Sequence, residues 1–167
     1  MRLLTALGLS AALLLSAQPA AALGTPTLRS GAVCLLAIKK ANAAGKPAKL
    51  TYCNFRGVNL SGANLRKADL FGSDLGDANL KNADLRGALV DSVNLSRANL
   101  DGAKLSGAKF NLSNFTSASL RGADLRNANL YGANLHNANL RNAKLSGANL
   151  TLVLFYNTIM PNGSVRG

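Results

Sequence analysis

Residues 63–72 have the sequence Ala-Asn-Leu-Arg-Lys-Ala-Asp-Leu-Phe-Gly, which is two five-residue units in succession. The unit continues in both directions, because Leu, Phe or Val occupies every fifth position from Phe55 to Phe155, giving 21 central residues. The residue two places before each central residue is small, in most units Ala, and the residue between them is commonly Asn or Asp. A short repeat of fixed period is typical of a solenoid and outweighs local propensity.

The five-residue period excludes the simple secondary structures. A helix needs apolar residues at a period near 3.6, and a straight strand needs an even period because its side chains alternate between faces. Three extended residues followed by a two-residue bend satisfy the pattern. The small residue and the central residue then point inward, the residue between them points outward, and the last two form a corner. Glycine is frequent at the fifth place, as a corner requires.

The sequence also indicates how many units make one coil. Apart from Val58, the small inward residues that are not Ala are separated by multiples of 20: Cys53, Ser73, Val93, Ser113 and Val153. An outward column alternates in charge at the same spacing, and opposite charges on neighbouring strands attract: Asp84, Lys104, Asp124 and Lys144. Both columns predict four units per coil and about five coils, a rod roughly 25 Å long at ~4.8 Å per coil.

The run of Ala-[Asp/Asn]-Leu-x-x units resembles the pentapeptide-repeat proteins. The resemblance covers residues 53–157, and it implies an all-β solenoid, a right-handed quadrilateral β-helix. The handedness is implied by the resemblance alone. Signal-bearing members of that family are typical of photosynthetic bacteria and the thylakoid lumen.

The N-terminal region predicts export. Residues 1–22 have the pattern of a signal peptide, with Arg2, an apolar run too short for a membrane span, and small residues at 20–22; an uncleaved anchor is the alternative. Residues 23–52 form an N-terminal segment that is loose up to Arg29. Residues 30–44 predict a short α-helix with Ser30 as its N-cap. One side of this helix carries Val33, Leu36, Ala37 and Ala41, and we expect it to cap the open end of the solenoid.

The C-terminal region departs from the repeat. Met160 keeps the central position, but Pro161 breaks the pattern, and Pro161-Asn162-Gly163 is a turn signal. We therefore expect residues 158–167 to form a short cap followed by a frayed tail.

The two cysteines, Cys34 and Cys53, lie in the predicted helix and in the first unit. In an oxidising compartment such a pair tends to form a disulfide bond, here joining cap to solenoid. Two buried free thiols are the alternative.

The sequence shows no catalytic signature, so we expect a protein that is not an enzyme and that has no cofactor or metal site. His136, the only histidine, falls at a corner with no nucleophile nearby, and a surface histidine is the simpler interpretation. The Asp and Asn residues occupy the outward repeat position, where stacked columns have a structural role.

The chain is basic, with 19 Lys and Arg against seven Asp and a formal net charge of +12, which favours anionic partners. We number the four walls from the one that contains Phe55. The second and third walls carry a candidate basic binding edge: Arg66, Lys67, Lys81, Arg86, Lys104, Arg121, Arg126, Arg141 and Lys144. The fourth wall carries a candidate apolar patch: Phe71, Leu89, Leu112, Tyr131 and Leu152. Charge for solubility and scattered apolar residues are the simpler interpretations of these two sets.

These features favour a non-catalytic structural or interaction scaffold in the periplasm or thylakoid lumen, with flat basic and partly apolar faces. The alternative is binding of an anionic polymer or membrane surface through the basic edge. The expected partner is thus a protein or an anionic surface. Nucleic acid is disfavoured, because the edge lacks stacking aromatics. Gyrase inhibition by DNA mimicry, known for some family members, is disfavoured because this chain is basic. We expect a monomer with no transmembrane segment after signal cleavage.

Overall fold

The computed structural model describes residues 27–167, so the predicted signal peptide and the first residues of the N-terminal segment lie outside it. Its regular elements are helix α1 (Gly31–Ala43) and two short strands, β1 (Thr158–Ile159) and β2 (Val165–Arg166). Within residues 27–167, no helix is long and apolar enough to cross a membrane.

Between the helix and β1 the backbone is held by parallel β-bridges. Each bridge joins outward residues 20 positions apart, from Lys49 with Asp69 to Asn139 with Ile159. We call each 20-residue stretch a coil; it contains four five-residue units. The bridges remain isolated instead of merging into long strands, because each side offers only three extended residues before the chain bends.

In the middle coils each unit donates three hydrogen bonds to neighbouring coils, one of them from the corner residue, as from the Gly102 N–H to the Arg121 carbonyl (2.9 Å), and in most units a fourth closes the corner. In the unit of Leu100, the Leu100 N–H donates to the Ser119 carbonyl (2.7 Å) and the Asn99 N–H donates to the Ala78 carbonyl (2.9 Å). The Ala103 N–H donates back to the Leu100 carbonyl at 3.0 Å. Bonding in both directions along the rod gives the backbone polar groups the partners that burial requires.

The corner conformation explains the glycines of the repeat. The fifth residue of each unit has a positive φ, which glycine adopts without steric cost. Asn is the commonest substitute, but Leu112 and Leu152 also lie there, both at φ 57°. A leucine in this region is strained by about 1–2 kcal/mol.

The core consists of the central and small residues, as the repeat predicts. From Leu65 to Ala143 nearly all of them are fully buried, and Phe110 and Phe115 pack edge to face with ring centroids 5.2 Å apart. Ser73 is also buried: its hydroxyl donates to the Leu50 carbonyl (2.6 Å) and accepts from the Cys53 N–H (2.9 Å). Such bonding makes a polar atom acceptable in an apolar core.

Helix α1 packs on the first coil with a side that matches the predicted one only in part, because Ala37 and Ala41 are partly buried against the core as expected. Cys34 and Ile38 are buried, whereas Val33 and Leu36 are 55 % and 52 % exposed. The prediction for Val33 and Leu36 was therefore wrong, because Cys34 and Ile38, one helical turn apart, occupy the centre of the buried side. Ser30 precedes the helix, but its side chain makes no capping hydrogen bond.

The two cysteines form a disulfide bond, Cys34–Cys53, the pairing that the sequence predicts. Arg29, expected to be loose, instead bridges Cys53 in parallel, and the Asn54 N–H donates to its carbonyl at 2.9 Å. The chain just before α1 therefore adds a short extra strand segment to the first coil, because that coil leaves backbone groups unpaired.

The C-terminal tail is not frayed as expected. Strand β2 pairs antiparallel with β1 through a turn at Asn162-Gly163, where the Asn162 side chain accepts from the Ser164 N–H (3.0 Å). The Arg166 guanidinium lies 4.0 Å from the ring centre of Phe155. Stacking of a cation on this half-buried ring holds the last residues against the final coil.

Candidate functional site

The bridge register places the nine residues of the predicted basic edge together. The third wall has the outward column Asn64, Asp84, Lys104, Asp124 and Lys144, each bridged to the next. The corner before it contains Lys81, Arg121 and Arg141, and the corner after it contains Arg66, Lys67, Arg86 and Arg126. We call the third wall with its two flanking corners the basic side.

The basic side differs sharply in charge from the side across the rod. It carries nine Lys and Arg and three Asp, a net charge of +6. The first wall with its two flanking corners carries two Arg and three Asp, a net charge of −1. The positive charge is thus concentrated on one side, which creates a directed field for an approaching anion.

Arginines, not lysines, pair with two of the three carboxylates of the basic side, those of Asp84 and Asp124. Arg86 donates to both oxygens of Asp84 (2.9 and 2.6 Å), and Arg126 donates to both oxygens of Asp124 (2.8 and 2.7 Å). Lys104 lies in the column between these two carboxylates, yet no lysine of residues 27–167 forms an ion pair within 4.0 Å. The fork of arginine fits a carboxylate better than a lysine ammonium does.

These arginine pairs lower the pKa values of the carboxyl groups that they bind. The hydrogen bond from Arg86 lowers the pKa of Asp84 to about 2, and that from Arg126 lowers the pKa of Asp124 to about 2. On the first wall, the Arg97 hydrogen bond lowers the pKa of Asp77. The carboxylates therefore stay ionised over the physiological range.

All seven Asp side chains accept hydrogen bonds from the protein itself, and the donors include backbone N–H groups, amides, Ser119 and arginines. The bonded carboxylates are Asp69, Asp74, Asp77, Asp84, Asp91, Asp101 and Asp124. The acidic residues thus have structural partners, whereas the lysines extend into solvent.

The predicted apolar patch is divided by the fold. Phe71 packs edge to face on Tyr52, with ring centroids 5.7 Å apart, and Leu89 lies in the outward column of the fourth wall, separate from the corner residues. Phe71, Leu112, Tyr131 and Leu152 share the corner between the fourth and first walls, but Asp91 occupies that corner in the coil between Phe71 and Leu112. Leu112 and Leu152 are 66 % and 65 % exposed.

Two exposed apolar residues near this corner were not predicted from the sequence. Leu154 replaces the outward Asn of the last coil, and Tyr156 follows at the next corner; both are more than half exposed. The signal in the sequence was an apolar residue at a position that is usually polar: Leu154 at the outward place and Tyr156 at a corner. The C-terminal half of the first wall is therefore more apolar than the N-terminal half.

His136 is partly buried at a corner, with its ring centre 5.8 Å from that of Tyr156. Among residues 27–167, no group of three or more His, Cys, Asp or Glu side chains could hold a metal ion.

The geometry defines a class: a solenoid of short parallel bridges with a five-residue repeat. The family model for pentapeptide repeats matches in eight copies over residues 48–77, 78–116, 94–130 and 118–157, and the chain belongs to this family. Its members form right-handed quadrilateral β-helices and are generally non-catalytic structural or interaction proteins.

Several solved structures are similar. HetL, a pentapeptide repeat protein involved in heterocyst differentiation regulation in Nostoc, is 32 % identical over 72 % of this chain and 67 % of its own, with a TM-score of 0.42. Rfr23 of Cyanothece is 25 % identical over 75 % and 98 %, with a TM-score of 0.49. A pentapeptide repeat protein of the Arabidopsis thaliana thylakoid lumen is 29 % identical over 62 % and 68 %, with a TM-score of 0.42.

A comparison with curated proteins found no match. A shared fold does not define a role.

Proposed function

We propose that this protein is a non-catalytic interaction scaffold that docks a partner on its basic side. The observation that carries the proposal is the charge difference between the two sides of the rod, +6 against −1. A partner with an acidic surface would be steered to one side and held in one orientation.

The packed core supports a scaffold role. Its columns of Leu, Phe and Ala fill the rod and leave the outer surface to carry any function. Stacked coils make that surface stiff, so the cations of the basic side keep fixed spacings. Lys104 and Lys144 lie two coils apart, roughly 10 Å.

The two ends complete the proposed rod of about five coils. We assign α1 as the N-terminal cap, because Cys34 and Ile38 continue the core beyond Leu50 and Phe55. The β1–β2 hairpin covers the other end less fully, since Leu145, Leu150 and Phe155 are only partly buried.

We place the protein in an exported compartment, the periplasm or thylakoid lumen. Two features support this location: the signal-like pattern of residues 1–22 and the Cys34–Cys53 disulfide. Disulfides persist in oxidising compartments and are rare in the cytosol.

Capture experiments with charge variants test the docking proposal. A basic-side variant replaces Lys81, Lys104 and Arg121 with Gln, and a matched control replaces Lys39, Lys40 and Lys109. All six side chains are exposed and both variants lose three charges. With extract of the exported compartment, the basic-side variant should lose its partner, and high salt should release it from the wild type. Equal loss from both variants would show that net charge, not the basic side, determines capture.

The cation columns also favour a second candidate, binding of an anionic polymer or membrane surface. The basic side repeats positive groups along the rod axis, as a linear polyanion requires. Binding to an anionic polysaccharide and to phosphatidylglycerol vesicles should weaken steeply with salt. The two variants above again serve as test and control. Retention of either ligand by the basic-side variant would exclude this candidate.

A further inference from the structure

We propose that the N-terminal end of the basic side contains a binding site for a phosphate group, in a cleft between the end of α1 and the first coil. The cleft has a volume of about 320 Å³, near the lower limit of ligand pockets. Its lining contains three cations and two amides: Asn42, Lys46, Asn64, Arg66 and Lys67, with the remaining surface from Gly45, Pro47 and Ala48. The site shares Arg66 and Lys67 with the basic side but does not require a docked partner.

The chemistry of the lining selects the ligand. Lys46, Arg66 and Lys67 offer N–H donors only, and no acidic side chain lines the cleft. The Asn64 side-chain oxygen already accepts from the Arg66 N–H at 3.3 Å, which leaves its NH₂ group as a donor. A cleft with an excess of donors and three positive charges suits a compact oxyanion with several acceptor oxygens, as in phosphate.

The backbone holds Lys46 in place. After α1, Gly45 has a φ of 62°, the Gly45 N–H donates to the Asn42 carbonyl (3.1 Å) and the Lys46 N–H donates to the Ala41 carbonyl (2.9 Å). This pair of bonds is a Schellman motif, which ties up carbonyls that would otherwise repel an anion. The disulfide at Cys34 fixes the same helix to the first coil.

The backbone also fixes the residues that the first coil contributes to the cleft, Arg66 and Lys67. Lys67 is a corner residue with a φ of 54°, and its N–H donates to the Arg86 carbonyl at 3.0 Å. The Arg66 guanidinium lies 3.5 Å from Asp84, a carboxylate already held by Arg86 at 2.6 Å. Arg66 is thus oriented by a shared carboxylate, and nearly half of its side chain remains exposed to a ligand.

Calorimetric titration of the purified protein with inorganic phosphate at constant ionic strength tests the site. The cleft variant is Lys46→Gln with Lys67→Asn, since Asn tolerates the positive φ of position 67. The control is Lys81→Gln with Lys144→Gln, which removes two exposed charges of the same basic side outside the cleft. We expect saturable binding by the wild type and the control, and affinity at least roughly tenfold weaker in the cleft variant.

Two further titrations identify the source of the phosphate group. Glucose 6-phosphate represents a soluble phosphate ester, and vesicles of phosphatidic acid in phosphatidylcholine represent a lipid headgroup. Tighter binding of either than of free phosphate, lost in the cleft variant, would support the site and name its source. The proposal is overturned if inorganic phosphate shows no saturable binding up to about 10 mM, or if the cleft variant and the control bind it equally.

Discussion

The ring of Tyr52 lies directly over Gly72 of the next coil, with its Cε1 atom 2.5 Å from the position that a β-carbon on residue 72 would occupy. The same arrangement recurs along the rod, where a corner side chain covers a corner glycine 20 residues later: Asn82 over Gly102, Leu112 over Gly132 and Asn127 over Gly147. These glycines therefore meet two requirements, a positive φ and room for the neighbouring side chain.

The Gly72→Ala substitution tests this double requirement against Gly62→Ala. Both glycines have a φ of 65°, but a β-carbon on Gly62 would meet nothing within 4 Å. Gly62→Ala should cost about 1–2 kcal/mol of unfolding free energy, from the backbone alone. Gly72→Ala should cost about 1–3 kcal/mol more, because the Tyr52 ring must move off Phe71. Chemical denaturation measures both.

A double-mutant cycle provides the control for this prediction. In a Tyr52→Ala background, Gly72→Ala should cost no more than Gly62→Ala, because the ring that fills the space is gone. A persistent difference would mean that Tyr52 does not set the extra cost.

The Cys34–Cys53 disulfide should stabilise the folded chain by about 3 kcal/mol, because it closes a loop of 19 residues. The double substitution of both cysteines by Ala removes it, and denaturation under non-reducing conditions measures the loss. The intact mass of unreduced wild-type protein should be two hydrogens below that of the reduced chain. Full stability in the double variant would show that the packing of Ile38, without the disulfide, is enough to hold α1 against the first coil.

Much of the solenoid could be predicted because each five-residue unit of the sequence corresponds to one side and one corner of the backbone. The period of five gives three extended residues and a corner. The spacing of 20 that the bridges show was predicted from the departures from Ala at Cys53, Ser73, Val93, Ser113 and Val153. The sequence alone did not show why Ser73 and Ser113 occupy these inward positions. Each hydroxyl enters the corner of the preceding coil, as Ser113 does between Val90 and Val93 (2.5 and 3.0 Å).

The ends and the surface were harder to predict, because no repeat constrains them. The apolar residues of α1 fit two faces, and only the position of Cys53 selects the one with Cys34 and Ile38. The basic edge followed from the register, whereas the cleft at Lys46 depends on how the helix end meets the first coil. Short-range sequence patterns do not carry that information.

The pH dependence of stability should report the arginine pairs of the basic side. The pKa of Asp84 is lowered to about 2 by its hydrogen bond from Arg86, below the value of about 3.9 in an unfolded chain. Its contribution is therefore fully present above about pH 4 and is lost as the pH falls toward 2. Arg86→Gln should be less stable than the wild type at pH 7, and the difference should shrink toward zero at pH 2. A difference that stays constant from pH 7 to pH 2 would show that Arg86 stabilises by packing instead.

The outward column of the third wall gives the last prediction. Asp84, Lys104 and Asp124 lie in successive coils, one strand spacing apart. Lys104→Asp places three carboxylates in a row, whereas Lys104→Asn only removes a charge. Because the side chains are near the surface, the additional cost of the Asp variant should be a few tenths of a kcal/mol to about 1 kcal/mol. Thermal melting at low salt measures it, and high salt should reduce it.

Inversion of all four charges of this column distinguishes the attraction between coils from the arginine–carboxylate pairs within each coil. From the alternation alone, exchanging Asp and Lys at positions 84, 104, 124 and 144 restores attraction between coils and should recover the stability lost in Lys104→Asp. The structure predicts the opposite, because the inversion sets lysines beside Arg86 and Arg126 and removes both carboxylates that these arginines bind. The inverted protein should therefore melt below Lys104→Asp, and replacing Arg86 and Arg126 with Glu in the inverted protein should raise its melting temperature again. If the inversion alone melts as high as the wild type, attraction between coils outweighs the arginine pairs within each coil.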